Sequence, residues 1–235
     1  MRKDIRKRVN VVIEKISDGY CLWSEIREQM GVRGGSALRL RETLEREELV
    51  QVIRGKFGRF PYDILILTEA GREYAKQLGL EVKQTDWERL EREHNARNSP
   101  AHALAVLIFA WQARRRGWQA DVLPRFSRAY AKPDVRVEQK GERVYVEVEV
   151  LRNPRRHSDG YNPWLVKWNN QMDYQGYVAV CTLTPIRRAG IVSVLQEYGF
   201  SGLATDLMTL LKQPDSDLWL ERWNWPNEFS MRGYR

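Results

Sequence analysis

The sequence predicts an α/β protein in which a mixed-sheet domain, ordered helix, three strands, helix, strand, follows a separate small domain of three helices and a β-hairpin. Three observations predict it. Apolar residues recur at helical spacing in the first stretch (Ile5, Val9, Val12, Ile13, Ile16). Much later, Val144, Val146, Val148 and Val150 alternate with Tyr145, Glu147 and Glu149 at the period of a strand. Between these regions lies a charged segment, TDWERLEREHNARNSP, that reads as the junction of two domains. The chain parses into residues 1–78, a linker with a helix over 79–100, and residues 101–235.

The first helix ends at Asp18-Gly19. A second, short helix fits Ser24 to Met30, with Ser24 as N-cap and Gly31 past its end. After the loop VRGGS come a third helix (about Ser36 to Glu47), a strand LVQVI, a basic turn RGKFGRFP, a strand YDILILT and a closing helix EAGREYAKQL. Beyond the linker, a helix from Ala101 to Arg116 presents Leu104, Leu107, Ile108 and Trp111 at spacings of three and four, and Gly117 ends it. A strand near Trp118 to Leu123 follows. Asp134 opens the next strand after Pro133, and a polar turn at Gln139, Lys140 and Gly141 leads antiparallel into the Val144 strand. The remaining elements are a helix over about Asn162 to Tyr174, an apolar strand YVAVCTL and a helix from Pro185 to Tyr198.

The strand pattern places chemistry. Glu147 and Glu149 point the same way, about 6.6 Å apart along the strand, and Asp134 comes beside Glu147 across the turn. Three carboxylates held by a rigid sheet repel one another unless a cation neutralises them, and hard oxygen ligands suit Mg²⁺ or Mn²⁺. An exposed amphipathic hairpin with solvated glutamates is the other reading of the same pattern. The loop LRNPRRHSDGYNPW places Arg152, Arg155 and Arg156 directly after Glu149, either to clamp phosphates or as a solvent-exposed loop. Trp219, Trp223 and Trp225 are suited to stacking on unpaired bases, to packing on the body of the protein, or to contact with a second subunit of a homodimer.

Composition narrows the classes. With 30% charged and 11% aromatic residues, the chain is expected to be folded rather than disordered, and its net charge of +8 favours a polyanionic partner such as DNA. Cys21 and Cys181 are far apart, and Cys181 sits in an apolar run, which reads as a buried thiol and argues against a disulfide framework or a zinc site. His94 and His157 lack zinc-ligand spacing. The basic start MRKDIRKRVN leads into an amphipathic segment and not a signal peptide, and no run reaches membrane-spanning length, so a cytoplasmic protein without membrane contact is expected. A Gly-rich phosphate loop, a Ser-His-Asp arrangement and a dinucleotide fingerprint are all missing from the sequence.

Residues 1 to about 78 resemble a winged helix-turn-helix domain, and the run ILTEAGREYA is similar to the end of the wing and the following helix in many bacterial regulators. The resemblance implies that the third helix enters the major groove of duplex DNA and the wing touches the backbone. Arg39, Arg41 and Arg46 are then helix candidates, and Arg54, Lys56 and Arg59 wing candidates. Glu42, Glu45, Glu47 and Glu48 sit among those arginines, so a solvated face laced with ion pairs is an equally physical reading, and winged helices also serve as dimerisation modules.

The element order after Ala101, together with Pro133-Asp134 and Glu147-Val148-Glu149, resembles the PD-(D/E)XK nuclease superfamily, restriction-endonuclease-like in fold, over roughly Ala101 to Asp206. That resemblance implies metal binding by Asp134 and Glu147, with the Val148 carbonyl as a further ligand. Glu149 departs from the pattern: most members carry lysine there, and a minority of restriction enzymes carry Glu with a second metal. Glu149 thus either completes a two-metal site, with ions about 4 Å apart, or marks a domain without hydrolysis. Lys167, in PWLVKWNNQ, offers a lysine migrated from a neighbouring element, as in some members, or is a surface lysine beside Trp164 and Trp168. Gln171 lies one turn beyond it, and His102 starts the helix that in this fold borders the site. Two functions fit: a metal-dependent DNA endonuclease, or a non-catalytic DNA-binding regulator. For the latter, domain order, His102 and Pro133-Asp134 also resemble the replication-relaxation proteins of plasmids and mobile elements.

Overall fold

Val9, Val12, Ile13 and Ile16 line the inward face of helix α1 (Lys3–Ser17), and the first core of the molecule grows from that face. The computed structural model describes residues 3–57, 60–125, 132–150 and 163–224. It divides into two units, Met1–Ile108 and Phe109–Arg235.

In the first unit, α2 (Trp23–Gln29) and α3 (Gly34–Arg46) add Trp23, Ile26, Leu40 and Leu44 to the α1 core. Strands β1 (Val50–Phe57) and β2 (Phe60–Leu67) form an antiparallel hairpin in register Val50↔Leu67, whose Val50, Leu65 and Leu67 close that core. Helix α4 (Glu69–Gln77) is capped by Thr68, whose hydroxyl accepts from the Gly71 N–H. Helix α5 (Asp86–His94) carries a reciprocal capping box between Thr85 and Glu88. One expected boundary is corrected. Ser24 is not an N-cap: α2 starts at Trp23, with Leu22 at the cap position. The reason is tertiary, because Leu22 makes an isolated bridge to Ile64 on β2 and the Leu65 N–H donates to the Cys21 carbonyl at 2.8 Å, so the chain passes straight from that bridge into the helix.

Helix α6 (Pro100–Arg115) contains the division between the units. The second unit is built on a mixed six-stranded sheet in the order β3-β4-β5-β6-β7-β8. Its strands are β3 (Gln119–Val122), β4 (Val135–Gln139), β5 (Glu142–Glu149), β6 (Val178–Thr182), β7 (Gly202–Asp206) and β8 (Glu221–Trp223). Pairing is parallel for β5/β6 and β6/β7 and antiparallel elsewhere. Helices α7 (Pro163–Gln175) and α8 (Pro185–Glu197) share a core with β6, β7 and β8 through Trp168, Val180, Val192, Leu195, Ala204 and Trp223. Helix α9 (Leu207–Lys212) is capped by Asp206, which accepts from the Thr209 N–H at 2.8 Å. The expected α/β class with a mixed sheet therefore holds, and β7, α9 and β8 extend it beyond the elements read from the sequence. Trp219 packs on Phe109 and Trp118, and Trp223 lies in the core, so both serve packing; Trp225 lies outside the described residues. Among the described residues, no helix is long and apolar enough to cross a membrane.

Candidate metal centre

The centre starts at a turn. Lys140 (φ 51°) and Gly141 (φ 84°) occupy the two loop positions between the paired residues Gln139 and Glu142, which is the backbone geometry a tight hairpin needs. This sets the β4/β5 register to Val135↔Val146 and brings Asp134 opposite Glu147. The Asp134 N–H donates to the Val146 carbonyl at 3.1 Å, and its Oδ2 accepts from the Val148 N–H at 2.8 Å, so the carboxylate is oriented by backbone on the neighbouring strand.

On β5, Val144, Val146 and Val148 fill one face of the sheet, and Glu147 and Glu149 emerge on the other. Both glutamates are buried, at 5% and 7% exposure, so the reading of an amphipathic hairpin with solvated glutamates does not describe them. Helix α7 covers this face with Lys167. Its Nζ lies 2.7 Å from Glu147 Oε2 and 3.0 Å from Glu149 Oε1, one ammonium bridging two carboxylates. Lys167 thus reaches the β5 carboxylates from a neighbouring element while its side chain stays partly exposed.

The charges of the cluster act on one another. Burial, then the nearby Asp134 charge, push the Glu147 carboxyl well above the usual range, and the attraction of Lys167 only partly offsets them. For Lys167, burial opposes the charged form, but Glu147, Glu149 and Asp134 together overcome it and raise its pKa. Burial, then the Glu147 charge, raise Tyr174. Three buried carboxylates, those of Asp134, Glu147 and Glu149, surround one ammonium. Carboxylate oxygens are hard donors, the type that suits Mg²⁺ or Mn²⁺.

Other candidates are placed as follows. Gln171, one turn beyond Lys167, is fully buried, and its amide is engaged by the backbone of Ala179. His102, in the first unit, stacks its ring on His94 at 6.0 Å. Arg39 reaches back to the Gly35 carbonyl from an exposed position. Arg41 is drawn inward to Asp63 on β2 and to Glu45 at 3.7 Å. Arg46 pairs with Glu47 at 3.4 Å and Arg54 with Glu45 at 3.6 Å, while Lys56 is exposed on β1. Arg41 is thus largely enclosed by its partners, whereas Arg46 and Arg54 pair at the surface and stay exposed. Arg59, Arg152, Arg155, Arg156 and His157 lie outside the described residues.

Two arginines that sequence reasoning missed flank the sheet end. Arg187 donates from Nη1 to the Val150 carbonyl at 2.7 Å, holding the residue after Glu149. Arg188 bridges Asp206 and Glu221, the latter at 2.7 Å. The Arg-Arg pair after a Pro at a helix start was a visible charge signal, but its partners are remote in sequence. Comparison with protein-family models, with curated proteins and with solved structures returns no match.

Proposed function

We propose that this protein is a metal-dependent DNA endonuclease, with its second unit a PD-(D/E)XK nuclease domain and its first a winged helix that holds duplex DNA. The observation that carries the reading is the bridging of Glu147 and Glu149 by Lys167, with Asp134 aligned beside Glu147 in the hairpin register. A lysine from α7 in that place supplies the charge that most members of the superfamily carry on the strand, which answers the departure at Glu149. The order of α6, β3, β4, β5, α7 and β6 supports the same fold. The three-helix and hairpin order of the first unit, with the Leu22 bridge to β2, supports the winged helix.

Asp134, Glu147 and Glu149 would hold Mg²⁺ or Mn²⁺, which when bound supplies Lewis-acid activation of water and charge neutralisation at the phosphate. The chain's own residues set the stage. The Val148 N–H fixes the rotation of Asp134, and the sheet fixes the spacing of the glutamates. Lys167, held charged by its carboxylate neighbours, steadies the attacking oxygen and the negative charge that builds on the phosphoryl group. Arg39 and Lys56, exposed on α3 and β1, are the residues best placed in the first unit to meet phosphates.

The test incubates the protein with supercoiled, linear, single-stranded and branched DNA in Mg²⁺, Mn²⁺ or EDTA, beside Asp134→Ala and Glu147→Ala proteins. Metal-dependent cleavage lost in both variants is expected. A wild-type protein that binds DNA but cuts none of these substrates would make the chain a regulator instead.

A further inference from the structure

The β5/β6 pairing stops short. It runs Glu149↔Thr182, Val148↔Cys181 and Glu147↔Val180, and ends there. Continued in register, Val146 and Tyr145 would meet Ala179 and Val178, yet both strands persist, β5 back to Glu142 and β6 back to Val178. The sheet forks immediately below Glu147. Two side-chain amides from α7 fill the fork. Gln175 accepts from the Tyr145 N–H and donates to the Tyr145 carbonyl, both at 2.9 Å. Gln171 accepts from the Ala179 N–H at 2.7 Å and donates to its carbonyl at 3.4 Å. Gln175 Nε2 also donates to Gln171 Oε1 at 3.3 Å, which closes a continuous bridge from one strand to the other.

Lys167, Gln171 and Gln175 are four residues apart on one stripe of α7. Each step of four rises about 6 Å along the helix, close to the roughly 6.6 Å between alternate residues of a strand. A helix fixed on the sheet at Gln171 and Gln175 therefore has its next side chain, Lys167, delivered over the Glu147 and Glu149 positions. Backbone groups left unpaired at the fork need partners, and an amide offers both a donor and an acceptor, so the bridge sets the height and the rotation of α7.

We propose that Gln171 and Gln175 are positioning residues: the amide bridge in the β5/β6 fork is what holds the Lys167 ammonium between Glu147 and Glu149. The activity arm of its test rests on the endonuclease reading, and the structural arm does not. In protein labelled with ¹⁵N-lysine, the Lys167 ammonium resonance is identified by its loss in Lys167→Met. In Gln175→Met that resonance is expected to disappear or move to the position of solvent-exposed lysines. Tyr177→Phe, which removes only the hydroxyl that reaches the Arg143 carbonyl near the start of β5, should leave it in place. Cleavage by Gln175→Met is expected to lose about 10–100-fold in kcat with KM little changed, and to lose nothing further when combined with Lys167→Met. If Gln175→Met does not fold, Gln175→Asn, whose amide falls about 1.5 Å short, takes the same readings. An unmoved Lys167 resonance in a folded variant, or losses that simply add to those of Lys167→Met, would overturn the proposal. If the wild type cuts no DNA, the endonuclease reading fails while the resonance still decides this one.

Discussion

Replacing Lys167 by Met keeps the length and apolar stem of the side chain and removes only the ammonium that bridges Glu147 at 2.7 Å and Glu149 at 3.0 Å. Removing one partner from a fully buried ion pair costs about 3–5 kcal/mol. Lys167 is 37% exposed, so solvent screening reduces that, and we expect a loss of roughly 2 kcal/mol at pH 8 in EDTA. The sign of the pH dependence follows from Glu147. Its pKa is raised in the folded protein by burial and then by Asp134, so its contribution is favourable below the unfolded value and is lost as the pH rises through the folded one. Lys167 restrains that rise; without it the folded pKa climbs further and the penalty widens with pH. The deficit of Lys167→Met should therefore shrink toward pH 4, where Glu147 is protonated in both proteins, and grow toward pH 8. Urea denaturation at a series of pH values measures it, and added Mg²⁺ should narrow the gap at pH 8 by supplying another cation. A variant as stable as wild type at pH 8 in EDTA, or a deficit independent of pH, would refute the account of the bridge.

Two further substitutions test the frame around the centre. At Gly202, a Cβ would overlap the Val178 carbonyl oxygen and lie 2.5 Å from the Trp223 ring, so Gly202→Ala should destabilise by about 3 kcal/mol in chemical denaturation; a change below about 1 kcal/mol would mean that β7 and β8 separate easily. Arg116 donates to the carbonyls of Gln112, Leu210, Gln213 and Ser216 and to the side chains of Gln112 and Ser216. Arg116→Met should cost about 3 kcal/mol, with water replacing part of the loss at this half-buried position, and should accelerate hydrogen exchange in α9 before the rest of the second unit.

Local pattern carried most of the architecture. The alternation in β5 and the polar turn before it were enough to align Asp134 with the two glutamates, because a strand has a fixed period and a two-residue turn fixes the partner. Strand β7 was not legible: GLATD is buried at all five positions between parallel or antiparallel neighbours, so it shows no alternation, and β8 is three residues long. Lys167 was visible as a candidate, but its arrival between the glutamates depends on how α7 is turned over the sheet, which no residue near it in sequence dictates. Arg41 illustrates the converse. Its neighbours Glu42 and Glu45 offer partners within the helix, yet Asp63, from a strand 22 residues later, captures it.

The turn at Lys140-Gly141 has a reach beyond its size. Glu147 lies six residues beyond Gly141, about 20 Å of extended chain, and along that length the β4/β5 register is set by the turn. Lengthening the loop by one residue would send Asp134 to the valine face and leave Glu147 opposite a different neighbour. The sheet would still be hydrogen-bonded, and the helix above it could still dock, but the carboxylates would no longer share a side. The hairpin loop thus works as a distant alignment pin: a one-residue insertion there would separate the carboxylates without touching a single one of them.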